Sequence, residues 1–387
     1  MKLFLIAGEA SGDKLGAALM AGLKSLSPEV EFHGIGGPLM EAEGLTSLFA
    51  MEELSVMGLM EVLPKYRHLK RRIAETAEAV TRLAPDALIT IDSPDFCLRV
   101  ARLARAAQPD LRTIHYVAPS VWAWRPGRAA KMAEVIDHVL ALFPFEPPYM
   151  EAAGMSCDFV GHPVVAEPRA SDEDASAFRS AHQIAPDQPL VVCLPGSRAG
   201  EVKRLAPRFD EALMRLRDRE PGLRVVLPTV RGVSDMVREM SARWPVPPIV
   251  VEDPAAKRAA FAAADLALAA SGTVSLELAA ARTPMIIAYD ANFLTWHIAS
   301  RMLRIDTVTL VNLVSETRAV PEYLGPRCRP GLIASAMLEL LEHDDLRQQQ
   351  LVAMELTMQR LGEGGEDPGL RAARSVLSVL DAPRNAR

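Results

Sequence analysis

Gly196-Ser197-Arg198 forms a loop with the composition of a phosphate site. It follows the apolar run Leu190–Leu194 and precedes a helical pattern that carries Leu205 and Phe209. At such a strand-to-helix turn, free backbone N–H groups and the helix dipole favour an anion, and the fork of an arginine fits phosphate oxygens. The alternative is an ordinary tight turn with a solvated arginine.

A second loop of the same kind is Ala270-Ser271-Gly272-Thr273. It follows another apolar run and opens a helical segment that contains Glu277, a carboxylate that could accept hydrogen bonds from ribose hydroxyls. Alternatively, Ser271 only caps that helix and Glu277 only favours its N-terminal region. Two anion-competent helix starts in one half indicate a nucleoside diphosphate. The predicted site residues in these loops are Ser197, Arg198, Ser271, Gly272, Thr273 and Glu277.

Polar residues in the first half also follow apolar runs. Asp92 ends the run Ala87–Ile91 and could act as a general base toward a substrate hydroxyl, or could cap the next helix. Glu9, Ser11 and Asp13 follow Leu3–Ala7, where they either cap the first helix or hydrogen-bond a sugar. The aromatic and cationic stretch from His115 to Arg125 favours a ligand wall, with part of it in the core.

A strongly apolar segment lies beside a basic one. This composition is typical of a membrane-surface or acyl-chain site, although a buried helix followed by a solvated helix would share it. The predicted lipid contacts are Val56, Met57, Leu59, Met60, Val62, Leu63, Lys65, Arg67, Lys70, Arg71 and Arg72.

The elements that must position these residues are alternating strands and helices. Short apolar runs alternate with helical patterns through both halves, which predicts two parallel, doubly wound sheets. Ligands bind at the carboxyl ends of such strands, so we expect a cleft between two domains. Periodicity lapses at Gly161-His162-Pro163 through Arg169, which indicates the linker, and helical patterns resume beyond Pro330.

Composition narrows the class of protein. A chain of 387 residues is longer than a single hydrophobic core usually supports, so two domains are expected. A net charge of -6 argues against a general nucleic-acid binder. The four cysteines are scattered and the eight histidines form no metal-binding pair, so we expect a reducing environment and no metal. No apolar run reaches the length of a membrane span; the sequence predicts a soluble protein.

Several of these segments together resemble the lipid A disaccharide synthase family, in order, over nearly the whole chain. The most specific are Ala7 to Asp13 and Ser120 to Arg125. The others are Val56-Met57-Gly58, Ile91 to Phe96, Pro144-Phe145-Glu146, Gly161-His162-Pro163, Leu194 to Arg198 and Ala270 to Thr273.

The resemblance implies an inverting glycosyltransferase of the GT-B fold, with two Rossmann-like domains facing a central cleft. Residues 1–165 would form the acceptor and lipid domain, residues 166–365 the UDP-sugar domain, and a helix at about 366–387 would return to the first. In the family, the aspartate that matches Asp92 is needed for activity, and the arginine that matches Arg198 binds the donor phosphates. The residues that match Ser11 and Asn312 belong to the active cleft. Val311 departs from the family pattern, where proline commonly precedes the asparagine.

The resemblance also implies substrates and a location. The donor would be UDP-2,3-diacylglucosamine and the acceptor 2,3-diacylglucosamine 1-phosphate; the products would be UDP and a β-1,6-linked lipid A disaccharide phosphate. No cofactor or metal is expected. The enzyme would work in the cytoplasm at the inner face of the membrane, in contact with its lipids. Whether it forms a homodimer is left undecided by the sequence. The rival is another GT-B enzyme of a UDP-amino sugar, a peptidoglycan-type transferase or an epimerase.

Overall fold

The structure is a computed structural model that describes residues 1–54, 59–291 and 301–383, without the side chains of 59–66. It divides into two compact units. The first unit combines Met1–Ala166 with Gly364–Arg387, and the second is Glu167–Glu363. The first unit is therefore built from both ends of the chain.

A seven-stranded sheet forms the centre of the first unit, in the order β3-β2-β1-β4-β5-β6-β7, with every pairing parallel. Its strands are β1 Lys2–Ala7, β2 Glu31–Ile35, β3 Thr46–Ser47, β4 Ala87–Ile91, β5 Arg112–Tyr116, β6 His138–Ala141 and β7 Ser156–Phe159. Its helices are α1 Ala10–Leu26, α2 Pro38–Ala42, α3 Leu59–Leu83, α4 Pro94–Ala107, α5 Gly127–Ala133 and α6 Pro147–Glu151. Short 3-10 turns span Met51–Glu53 and Pro163–Ala166.

A six-stranded parallel sheet forms the centre of the second unit, in the order β10-β9-β8-β11-β12-β13. Its strands are β8 Leu190–Leu194, β9 Arg224–Pro228, β10 Ile249–Val251, β11 Leu266–Ala270, β12 Met285–Tyr289 and β13 Glu322–Leu324. Its helices are α7 Asp172–Ala181, α8 Ala199–Arg217, α9 Ser234–Ser241, α10 Pro254–Ala263, α11 Val274–Ala280, α12 Leu310–Ser315, α13 Pro330–Glu342 and α14 Asp344–Arg360. A 3-10 turn spans Gly325–Arg327.

The central strands are buried on both faces. Every residue of β4, β8 and β11 is buried, as expected for parallel strands covered by helices on both sides. In the second unit, Phe209 and Leu213 of α8 belong to the same core cluster as Leu268 of β11. Burying each such side chain stabilises the fold by about 1.5–3 kcal/mol.

The last helix, α15 Pro368–Asp381, packs against α1 in the first unit. Two glycines allow the close approach, since a Cβ on Gly22 would lie 2.7 Å from the Gly369 carbonyl oxygen. Within the described ranges, no helix has both the length and the apolar character that crossing a membrane requires.

Candidate active site

One candidate site lies in the first unit, where the strand order of its sheet reverses between β1 and β4. Ala7 and Ile91 are paired in register at the ends of these strands, so Gly8 and Ser93 leave the sheet at the same edge. A Cβ on Gly8 would lie 2.5 Å from Ser93 Oγ, which shows how closely the two loops approach. Such reversal points are the usual ligand sites of doubly wound sheets.

Asp92 lies at this edge in a strained backbone conformation. Its φ is 52°, that of Ser93 is 45°, and that of Val117, after β5, is 84°. Side chains, and β-branched ones above all, rarely adopt this left-handed region, and strain of this kind concentrates at functional sites. The strain therefore marks the ends of β4 and β5 as a functional edge.

The alternative role of Asp92, as a helix cap, has no support in the structure. The N-cap of α4 is Ser93, and its side chain makes no capping hydrogen bond. Asp92 is half-buried, and its carboxylate makes no hydrogen bond or ion pair with the described residues. The pKa of the Cys97 thiol is raised mainly by burial and also by the nearby Asp92 charge. Within the described part of the chain, the Asp92 carboxylate thus has no structural partner.

The prediction that Asp13 contacts a sugar is wrong for this structure. Asp13 is only 3% exposed. Its carboxylate accepts backbone hydrogen bonds from Gly37 at 2.9 Å, Leu39 at 3.0 Å and Met40 at 3.0 Å. Because these amides open α2, Asp13 caps that helix and both its oxygens are occupied.

Glu9 and Ser11 occupy a more open place at the start of α1. Glu9 is the N-cap of α1 without a side-chain cap, and it is half-buried, while Ser11 is exposed. Nearby, burial and the ammonium of Lys14 lower the pKa of the buried His162 to about 4. The His162 ring accepts a hydrogen bond from Val164 N at 3.2 Å, so His162 holds the 3-10 turn that follows it.

The segment after β5 forms an aromatic wall held by a buried acid. The Trp122 indole N–H donates to Glu146 Oε1 at 3.3 Å, and the Trp122 ring meets Phe145 edge-on at 5.1 Å. Glu146 Oε2 also accepts hydrogen bonds from the backbone amides of Leu142 and Phe143. Burial raises the pKa of Glu146 to about 7, against the effect of these hydrogen bonds. His115 and Tyr116, by contrast, are core residues.

A second candidate site, described separately, is a pocket of about 250 Å³ in the second unit. It lies where that sheet reverses, between β8 and β11, whose ends are paired at Leu194 and Ala269. The pocket brings together five predicted site residues, Ser197, Ser271, Gly272, Thr273 and Glu277.

Arg198 stands beside this pocket with its side chain 64% exposed. Its guanidinium Nη1 lies 3.6 Å from Oε1 of Glu201, which does line the pocket. Gly196 has a φ of 120°, a conformation that glycine adopts without strain.

The sequence reasoning missed three polar residues of the pocket: Glu201, Thr229 and Lys257. Lys257 Nζ donates to Glu277 Oε2 at 2.6 Å, so one oxygen of the predicted ribose ligand is already engaged. Thr229 has a buried hydroxyl without a hydrogen-bond partner among the described residues. Thr229 directly follows β9, and this position at a strand end could have identified it as a site residue from sequence. Lys257 lies within α10, where the sequence pattern gives no such indication.

Contrary to the prediction, Asn312 does not line the pocket. It is 1% exposed, its Nδ2 donates to Val320 O at 2.9 Å and to Thr307 Oγ1 at 3.2 Å, and its Oδ1 accepts from Val320 N at 3.0 Å. These bonds occupy both ends of the amide. Direct donor binding by Asn312 is therefore wrong for this structure, in which the residue fixes the segment after α12.

The predicted lipid-contact segment is described only in part. Val56 and Met57 lie outside the described residues, as do the side chains of Leu59, Met60, Val62, Leu63 and Lys65. Arg67, Lys70 and Arg71 are exposed.

Arg72 was also predicted to contact lipid, and here the prediction is wrong. It binds Glu53 through Nε at 2.8 Å and Nη2 at 2.7 Å, donates to Glu75 at 2.8 Å, and lies 4.2 Å from the centre of the Phe49 ring. Its guanidinium therefore joins α3 to the preceding 3-10 turn.

Two parallel doubly wound domains, each with its site residues at the strand-order reversal, define the GT-B class of glycosyltransferase-type folds. The predicted fold class is thus confirmed. Within that class, the chain belongs to the lipid-A-disaccharide synthetase family, which matches residues 3–368. It is a glycosyltransferase of lipid A biosynthesis that forms a disaccharide.

Relatives named lipid-A-disaccharide synthase support this assignment. The protein of Ruegeria pomeroyi is 63% identical over 98% of this chain and 96% of its own length. That of Rhodospirillum centenum is 49% identical, over 98% and 94%. Among solved structures, the UDP-GlcNAc 2-epimerase of Neisseria meningitidis shares the fold, with a TM-score of 0.64 and 11% identity over 98% of this chain and 99% of that one. The family resemblance is confirmed, and the rival enzymes are not favoured.

Proposed function

We propose that the chain transfers 2,3-diacylglucosamine from UDP-2,3-diacylglucosamine to the primary hydroxyl of 2,3-diacylglucosamine 1-phosphate. The products are a β-1,6-linked disaccharide phosphate and UDP. Membership of the family supports the disaccharide chemistry. The observation that carries the assignment of the reaction centre is the Asp92 carboxylate, which lies at a strand-order reversal without a hydrogen bond to the described chain.

The donor occupies the pocket of the second unit in this proposal. Serine, glycine and threonine residues from the ends of β8, β9 and β11 line it, and Arg198 lies at its border. Negative charge develops on the diphosphate as UDP departs, and a guanidinium with loop amides can stabilise it without a metal. The proposed mechanism therefore uses no cofactor.

Asp92 acts as the general base. It takes the proton of the acceptor's primary hydroxyl as the oxygen attacks the anomeric carbon and the bond to the diphosphate breaks. A single displacement inverts the anomeric carbon. Glu9 and Ser11, at the start of α1, are the proposed sugar contacts.

Two substitutions test this division of roles. We expect Asp92→Asn to lower disaccharide formation by about 10²–10⁴-fold while UDP binding, measured by calorimetry, persists. Arg198→Ala should instead weaken UDP binding. An equal loss of UDP affinity in both variants would refute the division. A parallel assay with acylated and unacylated UDP-glucosamine tests the substrate, and turnover of only the unacylated sugar would exclude the proposed reaction.

Membrane contact forms a separate part of the proposal. The exposed cations Arg67, Lys70 and Arg71 follow the apolar segment Val56 to Leu63, and we place them against anionic lipids at the inner, cytoplasmic face of the membrane. Changing all three cations to Gln should weaken binding to anionic vesicles, since each cation near such a surface contributes about 1 kcal/mol.

Co-sedimentation with vesicles measures this effect. The matched control removes three exposed cations elsewhere, Arg99, Lys131 and Lys203. Equal losses in the two triple variants would show a general charge effect and no local lipid site.

A further inference from the structure

Glu201 reaches back over the loop that we assign to the donor phosphates. It lies in the first turn of α8, and its Oε2 accepts a hydrogen bond from Ser197 N at 3.3 Å. Its Oε1 lies 3.6 Å from the Arg198 guanidinium. The loop therefore already holds an anion, supplied by the protein itself.

The space that this carboxylate fills exists because position 196 is glycine. A Cβ on Gly196 would lie 2.7 Å from both Cβ and Oε2 of Glu201. Glu201 lines the same pocket as Gly196 and Ser197, and its side chain is only 21% exposed. Its carboxylate is thus held at the wall of the pocket and only partly exposed to solvent.

We propose that Glu201 is an internal counter-anion that lies at the phosphate position of this pocket and is displaced when a nucleoside diphosphate binds. The inference rests on the proposed donor site. The single N–H of Ser197, which donates to Glu201, cannot also donate to a phosphate at the same point. Two anions at that point also repel each other. Glu201 therefore lowers the affinity for UDP and speeds its release after transfer.

A purely structural role makes a different prediction. Arg198 is the N-cap of α8 and Glu201 is the third helical residue, so Glu201 resembles the acidic partner of a capping box, except that it accepts from the residue before the cap. A cap of this kind supports the helix end but has no reason to oppose UDP. Thermal stability and UDP affinity therefore separate the two roles.

The test is Glu201→Gln in the full chain, with UDP as the probe. The amide keeps an acceptor oxygen and the volume but removes the charge. We expect the Kd of UDP, measured by calorimetry, to fall by about fivefold to thirtyfold, the effect of one charge-assisted hydrogen bond. In stopped-flow displacement the UDP off-rate should fall as well.

Glu211→Gln is the matched control. Glu211 lies on the same helix and pairs with Arg215 at 2.8 Å, outside the pocket lining, so it reports the effect of net charge alone. A Glu201→Gln affinity that equals the control's, or is weaker than that of the wild type, overturns the inference. Arg198→Ala separates this failure from that of the donor site. If Arg198→Ala leaves UDP binding unchanged, the donor site itself is wrong.

Discussion

Asp13 illustrates a polar side chain near a reaction edge that serves the fold. Replacing it by Ala would leave the amides of Gly37, Leu39 and Met40 without their acceptor in a buried place. We expect Asp13→Ala to destabilise the first unit by about 2–4 kcal/mol, measured as the free energy of unfolding in urea.

Ser11→Ala is the control for this substitution. Ser11 is exposed on the same helix, and its removal should change stability by no more than about 0.5 kcal/mol. A similarly small effect of Asp13→Ala would contradict the capping role.

Glu146 makes the stability of the first unit depend on pH. Because its folded pKa is raised from 4.5 to about 7, the folded state holds the proton more tightly than the unfolded chain does. Its stabilising contribution is complete below pH 4.5 and is lost as the pH rises through 7. The loss amounts to about 3 kcal/mol by pH 8.

Glu146→Gln should therefore flatten the decline of the thermal midpoint between pH 5 and pH 8. The comparison with wild type isolates Glu146 from buried histidines such as His115, whose pKa is lowered by burial to about 4. Glu151→Gln, an exposed neighbour in α6, should keep the wild-type slope. Identical slopes for Glu146→Gln and wild type would refute the raised pKa.

Single residues were predictable from sequence where the chemistry is local. Asp92 directly follows the buried strand β4, and Arg198 follows the short loop after the buried strand β8. The structure places both at strand-order reversals. Asp13 and Asn312 were misassigned because their partners could not be read from local pattern. The amides that Asp13 binds are at least 24 residues away in the chain, and Asn312 closes a loop back onto Val320. Hydrogen-bond partners of this kind depend on the tertiary fold.

At the scale of elements, the central strands were the most predictable. Ala87–Ile91 and Leu190–Leu194 are apolar runs buried at every position, so composition alone marks their ends. The peripheral strands β2 and β7 were not foreseen, because Glu31, His33 and Asp158 interrupt their apolar pattern. Edge strands and half-exposed strands are not buried at every position, so they have no continuous apolar run that identifies them in the sequence.

The contact between α1 and α15 depends on glycine. We expect Gly22→Ala to destabilise the first unit by about 1–3 kcal/mol, since the added Cβ would lie 2.7 Å from Gly369 O and 3.0 Å from Ala373 Cβ. Gly200→Ala is the control, because Gly200 is also helical and a Cβ there would meet nothing within 4 Å. That substitution should stabilise by up to about 1 kcal/mol, from helix propensity alone. Unfolding in urea measures both, and stabilisation by Gly22→Ala would show that the helices separate easily.

At the scale of the whole molecule, the two units differ in how the chain builds them. The first requires both Met1–Ala166 and Gly364–Arg387, because α15 packs on α1. The second is continuous in sequence and encloses its own core, with Phe209, Leu213 and Leu268 fully buried. Continuity and a separate core are the properties of a domain that folds alone.

Residues 167–363 should therefore fold as an isolated fragment and bind UDP. All the residues that line the proposed donor pocket lie within this range. We expect one cooperative thermal transition and a Kd for UDP within about tenfold of that of the full chain. The fragment carrying Arg198→Ala supplies the control and should bind UDP more weakly. A fragment that folds but fails to bind would mean that UDP affinity requires residues of the first unit, whereas a fragment that does not fold would show that the core of the second unit depends on the first.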